Sequence, residues 1–327
     1  MSSKINFTPR QVRDFRKRLL AWFRREQRKL PWRGETDPYR ILVSEVMLQQ
    51  TRVAVVEDRY GKFLRQFPTV EKLARAREQS VLAAWSGLGY YRRARALHAA
   101  AKHVAAARSF PLNANGLMEL PGVGRYTAAA VSSIAYGEPA AVVDGNVKRV
   151  LARVAGESLD EEDYWRIAGE LLDKEHPGDF NQAMMELGAM ICVPARPECK
   201  RCPVVSLCAG TGNITVRAKS ARRKAVLRYT LAQTDGRVLL RQRPHDASLM
   251  AGMWELPECT GSIRGKRPIL KVRHSITTTD YTVLVYRLGD NDLPRGHFIP
   301  LAKANKMALT GLTNKILGRL ELRGLTR

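Results

Sequence analysis

The sequence predicts a mainly α-helical domain followed by a smaller α+β domain. Up to about residue 210, apolar residues recur at helical spacing, with Ala-rich stretches at 93–107 and 126–136 and no run of alternating strand pattern. Four of the five cysteines fall within the 17 residues 192–208, at the end of that region. After a basic stretch at 212–226 the period changes. Short β-rich runs at 226–232, 238–241 and 281–288 follow, broken by turn residues such as Asp235-Gly236. The expected boundaries are a helical domain at 1–211, a basic linker at 212–226 and an α+β domain at 227–327.

Composition narrows the function. The 327 residues suit two domains, and 45% apolar content is that of a folded protein. Lysine and arginine exceed aspartate and glutamate by 55 to 31, a net charge of +24 that calls for a polyanion, either nucleic acid or an anionic membrane surface. No apolar stretch is long enough for a membrane span, and the opening residues lack the apolar core of a signal peptide. A soluble cytosolic protein that meets nucleic acid, with no membrane partner, is expected.

Taken in order, the elements carry their own signals. Thr8 suits an N-cap and Pro9 the first helical position, and Val12, Phe15, Leu19 and Phe23 form one apolar face. Arg10, Arg13, Arg16, Lys17, Arg18, Arg24 and Arg25 fill the other face, either solvated or turned to phosphate. Glu45 shares a helix face with Ile41, Leu42 and Leu48, where burial would raise its pKa; a salt-bridged core glutamate is the plainer alternative. Leu120-Pro121-Gly122-Val123-Gly124 joins two helical segments. Gly122, Val123 and Gly124 then offer backbone N–H groups to a phosphate, unless the turn merely connects helices. Asp144 is placed to start a helix, as a cap or as a carboxylate whose pKa the helix start lowers. Two carboxylates pushed in opposite directions form an acid and a cation stabiliser.

The spacing Cys192-x6-Cys199-x2-Cys202-x5-Cys208 surrounds Pro194, Pro197 and Pro203, so the four thiols can wrap one metal centre. Zinc and an iron–sulfur cluster remain open on spacing, with a dithiol role for Cys199 and Cys202 a weaker third. Cys259 stands alone.

Together these motifs resemble the MutY family of adenine DNA glycosylases, within the endonuclease III-like helix–hairpin–helix superfamily. The resemblance rests on Leu30-Pro31-Trp32-Arg33, on residues 44–51 and 85–91, on 120–127 and 143–149, and on 181–208. It implies a mainly α helix–hairpin–helix glycosylase domain with an iron–sulfur cluster loop, plus a C-terminal α+β Nudix-like domain. It further implies a [4Fe–4S] cluster on the four cysteines, and double-stranded DNA containing A:8-oxoguanine or A:G mispairs as partner. Glu45 would protonate the flipped adenine and Asp144 stabilise the sugar cation, with Tyr126 and Asn146 supporting Asp144. Trp32, Arg33, Leu48 and Gln182 would contact the substrate base, while Gln50, Thr51 and Tyr90 would enter the helix around 8-oxoguanine. Bifunctional relatives carry a lysine where this chain has Tyr126, and endonuclease III-type members differ at Glu45. Base removal without efficient strand cleavage is therefore expected.

Residues 238–243 and 252–257 resemble a Nudix fold, yet no glutamate lies between Cys259 and Leu320 to hold a catalytic metal. A reader of 8-oxoguanine is implied. Family members usually carry Phe-Ser-His where this chain has Ile276-Thr277-Thr278, so Thr277 keeps a hydroxyl and Thr278 replaces the histidine. Two alternatives remain: a glycosylase for another mispaired base, such as thymine opposite guanine, and a non-catalytic iron–sulfur protein that binds DNA.

Overall fold

Local sequence sets where each helix starts. In a computed structural model that describes residues 7–210, 222–259, 263, 265–276, 278–289, 292–304 and 306–321, the first helix, α1 (Pro9–Glu26), opens on a complete capping box. Gln11 N–H donates to Thr8 Oγ1 at 3.3 Å and Thr8 N–H donates to Gln11 Oε1 at 2.8 Å. Then come α2 (Pro38–Leu48), α3 (Val53–Gln66), α4 (Val70–Ala74), α5 (Glu78–Ala84), α6 (Arg92–Ala107), α7 (Ala114–Met118), α8 (Arg125–Tyr136), α9 (Gly145–Ala155), α10 (Glu161–Leu171) and α11 (Pro177–Met190). No helix among the described residues is long and apolar enough to cross a membrane.

The chain divides into two compact units, Met1–Arg75 with Ala96–Ala218, and Ala76–Arg95 with Lys219–Arg327. In the first, Phe15, Leu19 and Phe23 of α1 bury against Val147, Val150 and Val154 of α9 and Phe180, Ala183 and Leu187 of α11. The basic face of α1 is solvent-exposed at Arg10, Arg13, Lys17, Arg18, Arg24 and Arg25. Arg16 departs from that face: its guanidinium donates to the carbonyls of Leu171 (3.0 Å) and Glu170 (3.1 Å), filling acceptors that the end of α10 leaves open. Helices α8 and α9 are joined by an extended segment held from one buried side chain. Asn181 donates to Ser133 Oγ (2.9 Å) and Ala140 O (2.8 Å) and accepts from Val142 N–H (3.2 Å), fixing the approach to Asp144.

The second unit contains β1 (Arg223–Thr230), β2 (Gln233–Thr234), β3 (Arg237–Gln242), β4 (Trp254–Glu255), β5 (Leu270–Ile276), β6 (Thr279–Tyr286), β7 (His297–Pro300), α12 (Leu301–Ala304) and α13 (Gly311–Glu321). One sheet has the order β1-β6-β5, with β1 parallel and β5 antiparallel to β6; in the other, β3 pairs antiparallel with β2, β4 and β7, with β2 and β7 on its opposite sides. Both sheets pack on the apolar face of α13 at Leu312, Ile316, Leu317 and Leu320.

Two expected boundaries differ from the structure. Residues 212–221 of the expected linker lie outside the described residues, but 223–226 are strand. They form the basic edge of a sheet, Arg223 pairing with Thr279 and Arg222 bridging Asp280 at 2.7 Å, and an exposed charged edge carries no apolar signal to read. Residues 76–95, helical in pattern, pack with the α+β unit rather than with their sequence neighbours. Gln79 donates to Gly252 O at 3.0 Å and Arg95 to Ala251 O at 2.5 Å, long-range contacts that periodicity does not encode.

Replacing Asn181 with alanine strands the Val142 N–H and the Ala140 carbonyl in a buried site. The expected cost is about 2–3 kcal/mol of unfolding free energy, measured by urea titration.

Candidate active site

Five segments of the first unit converge on one cavity of about 530 Å³, lined among others by Trp32, Arg33, Glu45, Leu48, Gln50, Thr51, Tyr126, Asp144, Asn146 and Gln182. Apolar spacing along α2 brings Glu45 inward, where it is 5% exposed. Oε2 of Glu45 accepts a 2.7 Å hydrogen bond from the Tyr126 hydroxyl, which also lies 3.1 Å from Met185 Sδ; Tyr126, expected to support Asp144, is thus bonded to Glu45, because its place on α8 faces α2 across the cavity. Burial pushes the Glu45 carboxyl up to about 6; the Tyr126 hydrogen bond and the Arg33 charge pull it down, and Asp144 pushes it further up. Burial and the two carboxylates also drive the Tyr126 phenol far up, so it remains a donor.

Asp144 caps α9. Oδ1 accepts from Asn146 N–H (2.9 Å) and Val147 N–H (2.7 Å), and Oδ2 accepts from the Asn146 amide (3.0 Å). Helix-start stabilisation implied a lowered pKa, and the structure corrects this: burial is the largest influence and raises it, outweighing the N–H donors and the charge of Arg149. Each hydrogen-bond partner found for this carboxylate is nevertheless a donor, an arrangement that solvates the ionised form. Gly188 of α11 allows the close packing here, since a Cβ there would lie 2.7 Å from Asn146 Cβ.

A second polar wall adds two residues that the sequence did not single out, Glu186 and Arg28, to Arg33 and Gln182. Glu186, one turn beyond Gln182 on α11, accepts from Arg28 N–H (3.0 Å), Arg28 Nε and Nη2 (both 2.8 Å) and Arg33 Nη2 (2.8 Å). Arg33 also donates to Gln182 Oε1, and its guanidinium sits 5.0 Å over the Phe23 ring. These ion pairs hold the Glu186 carboxyl below its ordinary value against burial. The signal available was a glutamate one turn from a glutamine in an otherwise apolar segment. Trp32 is buried edge-on against Tyr60 at 5.5 Å.

Gln50, at the cavity rim, has φ +55°, a left-handed conformation uncommon outside glycine. Its turn is fastened by Thr51 N–H donating to Leu48 O (3.2 Å) and by Gln49 donating to Thr127 Oγ1 (3.1 Å). Tyr90 belongs to the second unit and does not line this cavity; it is also left-handed, at φ +48°, and 49% exposed. Thr278 sits in the second unit too, exposed in the β5–β6 turn, its carbonyl accepting from Arg223 N–H at 3.0 Å. Thr277 lies outside the described residues.

The hairpin before α8 is shaped by Gly122, at φ +74°, where an added Cβ would meet Ala96 Cβ at 2.4 Å. Val123 is buried beneath the turn and Gly124 is the N-cap of α8, leaving the first N–H groups of that helix without a side-chain cap.

Cys192, Cys199, Cys202 and Cys208 all line one apolar cavity with Val150, Val154, Leu187 and Val204. Among the described residues no three metal-ligating side chains form a group that could hold a metal ion. Buried Arg153 donates to Cys192 Sγ (3.2 Å) and to the carbonyls of Val193 (2.9 Å) and Pro194 (2.8 Å), placing positive charge beside the thiols. Arg149 connects this loop to Asp144: Nη2 donates to Asn146 Oδ1 (2.8 Å) and Nε to Cys192 O (2.7 Å).

Residues 43–171 match the HhH-GPD superfamily of base excision DNA repair proteins. The adenine DNA glycosylase of Mycobacterium tuberculosis is 42% identical over 205 residues, 60% of this chain and 67% of that protein. The chain belongs to the adenine DNA glycosylase family. Within that family the human enzyme is 46% identical over 215 residues, and that of Arabidopsis thaliana 38% identical over 304. The chain spans 39% of the human relative's length and 48% of the plant one's. Among solved structures, a thermostable thymine-DNA glycosylase is similar at 30% identity and TM-score 0.57, over 61% of this chain and 96% of that one. A trapped endonuclease III–DNA covalent intermediate is similar at 25% identity and TM-score 0.55, over 62% and 97%. Both support the helical glycosylase fold of the first unit.

The displaced pKa of Glu45 has a measurable effect on stability. Its folded value of about 6 lies above the ordinary 4.5, so the folded state holds the proton more tightly. Below pH 4.5 both states are protonated and nothing is lost; as pH rises through 6 the folded state loses up to roughly 2 kcal/mol. Glu45→Gln should be more stable than the parent by about that amount at pH 8, with the gap closing at pH 4 in urea unfolding.

Proposed function

We propose that this protein removes adenine mispaired with 8-oxoguanine, or with guanine, from duplex DNA in base excision repair, leaving an abasic site. The observation that carries the reading is a buried, tyrosine-bonded glutamic acid sharing one cavity with a carboxylate capped by N–H donors. A stacked base is out of reach, so the adenine enters the cavity by flipping. Glu45 accepts from Tyr126 through Oε2 and carries its acid proton on Oε1, from which adenine N7 receives it. Protonation turns the base into a competent leaving group. As the glycosidic bond lengthens, positive charge builds on the sugar and Asp144 stabilises it, with transient covalent capture the limiting case. Water then completes hydrolysis. Asn146 positions Asp144 and Tyr126 positions Glu45. Trp32, Leu48, Arg33 and Gln182 provide faces and edges for the base, with Arg28 and Glu186 behind them.

Tyr126 occupies the position where bifunctional relatives carry a lysine, and a phenol held by Glu45 is no Schiff-base nucleophile, so the proposed activity is monofunctional. Gly122 and Gly124 would present backbone N–H groups to a phosphate, while Val123, whose N–H donates to Leu120 O at 3.1 Å, closes the turn between them; Gln50, Thr51 and Tyr90 would each enter the duplex near the opposite base. The α+β unit would act as a Nudix-like reader of 8-oxoguanine through Thr277 and Thr278. The four cysteines suit a [4Fe–4S] cluster, because all four line one apolar cavity and thiolates are the usual ligands of such clusters. Bound there, it would cross-link residues 192–208 into a rigid loop. A monomer acting in the cytoplasm on nucleoid DNA is the setting proposed.

Single-turnover excision on A:8-oxoguanine, A:G and T:G duplexes, with and without alkali, tests the reading. Adenine release that needs alkali for strand cleavage is expected, with Glu45→Gln and Asp144→Asn each slower by at least ~100-fold. Release from T:G alone would replace adenine by thymine as the target, and no release from any duplex would leave a DNA-binding protein.

The purified holoprotein should carry about four irons and four acid-labile sulfides per chain, and Cys199→Ser should lower both. Metal and sulfide analysis checks this; zinc without sulfide would reverse it.

A further inference from the structure

The turn that bears Tyr90 is held by the α+β unit to which it belongs. Below it, Arg93 donates through Nη2 to the carbonyls of Leu88 (3.0 Å) and Gly89 (3.1 Å), and the Trp85 indole N–H donates to Gly89 O at 3.1 Å. The Arg93 guanidinium lies 5.5 Å from both the Trp85 and the Tyr90 ring centroids, so it supports the exposed phenol ring from one side. These contacts fix the left-handed Tyr90 within its own turn but do not anchor the turn. Anchoring comes from residues more than 200 positions later: Asn314 Nδ2 donates to Ser86 Oγ at 2.7 Å, and the Tyr91 hydroxyl lies 3.5 Å from Leu309 O.

The anchor is itself rigid. Thr310 N–H donates to Trp254 O (2.8 Å) and Leu256 N–H to Thr313 Oγ1 (3.0 Å), fastening the residues just before Asn314 to the end of β4. On the other flank, Gln79 and Gln242 both donate to Gly252 O, at 3.0 and 2.9 Å.

We infer that Asn314 is a positioning residue for Tyr90: by gripping Ser86, the α+β unit presets an aromatic wedge for duplex DNA independently of any base reading by its β5–β6 turn. The inference rests on the proposed function, in which Tyr90 enters the helix. A left-handed tyrosine held in advance lowers the ordering cost at the moment of binding. Loss of the grip should therefore weaken binding more than it slows chemistry.

The test uses full-length holoenzyme and a duplex pairing 8-oxoguanine with a 2′-fluoro adenosine that resists cleavage. Asn314→Ala and Ser86→Ala should each raise Kd by about five-fold, and the double variant by no more than the larger single effect. Amide exchange at Leu88 and Arg93, which donate within the turn to Trp85 O and Tyr90 O, should quicken by a similar factor in Asn314→Ala, while exchange in β3 stays unchanged. Single-turnover excision at saturating enzyme should stay within about two-fold of the parent. Additive Kd effects, or faster exchange throughout the unit, would overturn the inference. So would a Tyr90→Ala variant that binds weakly beside an Asn314→Ala variant that binds normally. If Tyr90→Ala itself leaves Kd unchanged, the wedge role under the proposed function fails, and the inference fails with it.

Discussion

The helical unit is organised around keeping two carboxyl groups apart in charge while they share one cavity. Glu45 and Asp144 are both buried enough to be pushed upward, and left alone each would resist ionisation. Their partners separate them. Glu45 has one phenol donor and an otherwise apolar helix face; Asp144 has two backbone N–H groups and an amide. Three donors solvate an anion far better than one, so under the proposed function the acid proton would sit on Glu45. Tyr126 and Asn146 would then be the residues that turn two similar groups into an acid and a carboxylate.

This division depends on backbone placement more than on side-chain chemistry. Asp144 receives its donors because α9 starts there, and α9 starts there because Asn181 pins the segment before it while Gly188 lets α11 approach Asn146. Arg28, Arg33 and Glu186 then close the far wall with a buried ion-pair network. Such a network gains little net stability, since desolvation offsets most of the attraction. Its effect is to hold polar edges in fixed positions on a cavity wall, which suits recognition of a planar polar ring.

Much of this was legible in the sequence, and the gaps have physical causes. The capping Thr8, the inward Glu45, the Asp144 N-cap and the cysteine loop each depend on residues within a few positions of one another, so spacing alone reveals them. Glu186 and Arg28 escaped because their roles arise from a contact 158 positions apart. The direction of the Asp144 shift is hidden for a related reason: a helix start is local and visible, whereas burial depends on distant elements such as α11. Residues 223–226 of β1 read as linker because charged edge strands look like linkers, and 76–95 read with their neighbours because their partners lie at 251–314. Local rules read single elements; they do not read which distant element each one meets.

The link between the cysteine loop and Asp144 follows the same logic of indirect support. Arg149 bonds both the Asn146 side chain and the Cys192 carbonyl, while Arg153, one turn on, bonds the Cys192 sulfur. The two arginines lie on one face of α9, so the position of Cys192 and the orientation of the amide holding Asp144 are set by a single rigid helix. Such a connection transmits displacement, because moving Cys192 pulls on Arg149 and hence on Asn146. A loop more than forty residues downstream of Asp144 is therefore tied through Arg149 to the amide that holds it, although none of its sulfurs lines the cavity.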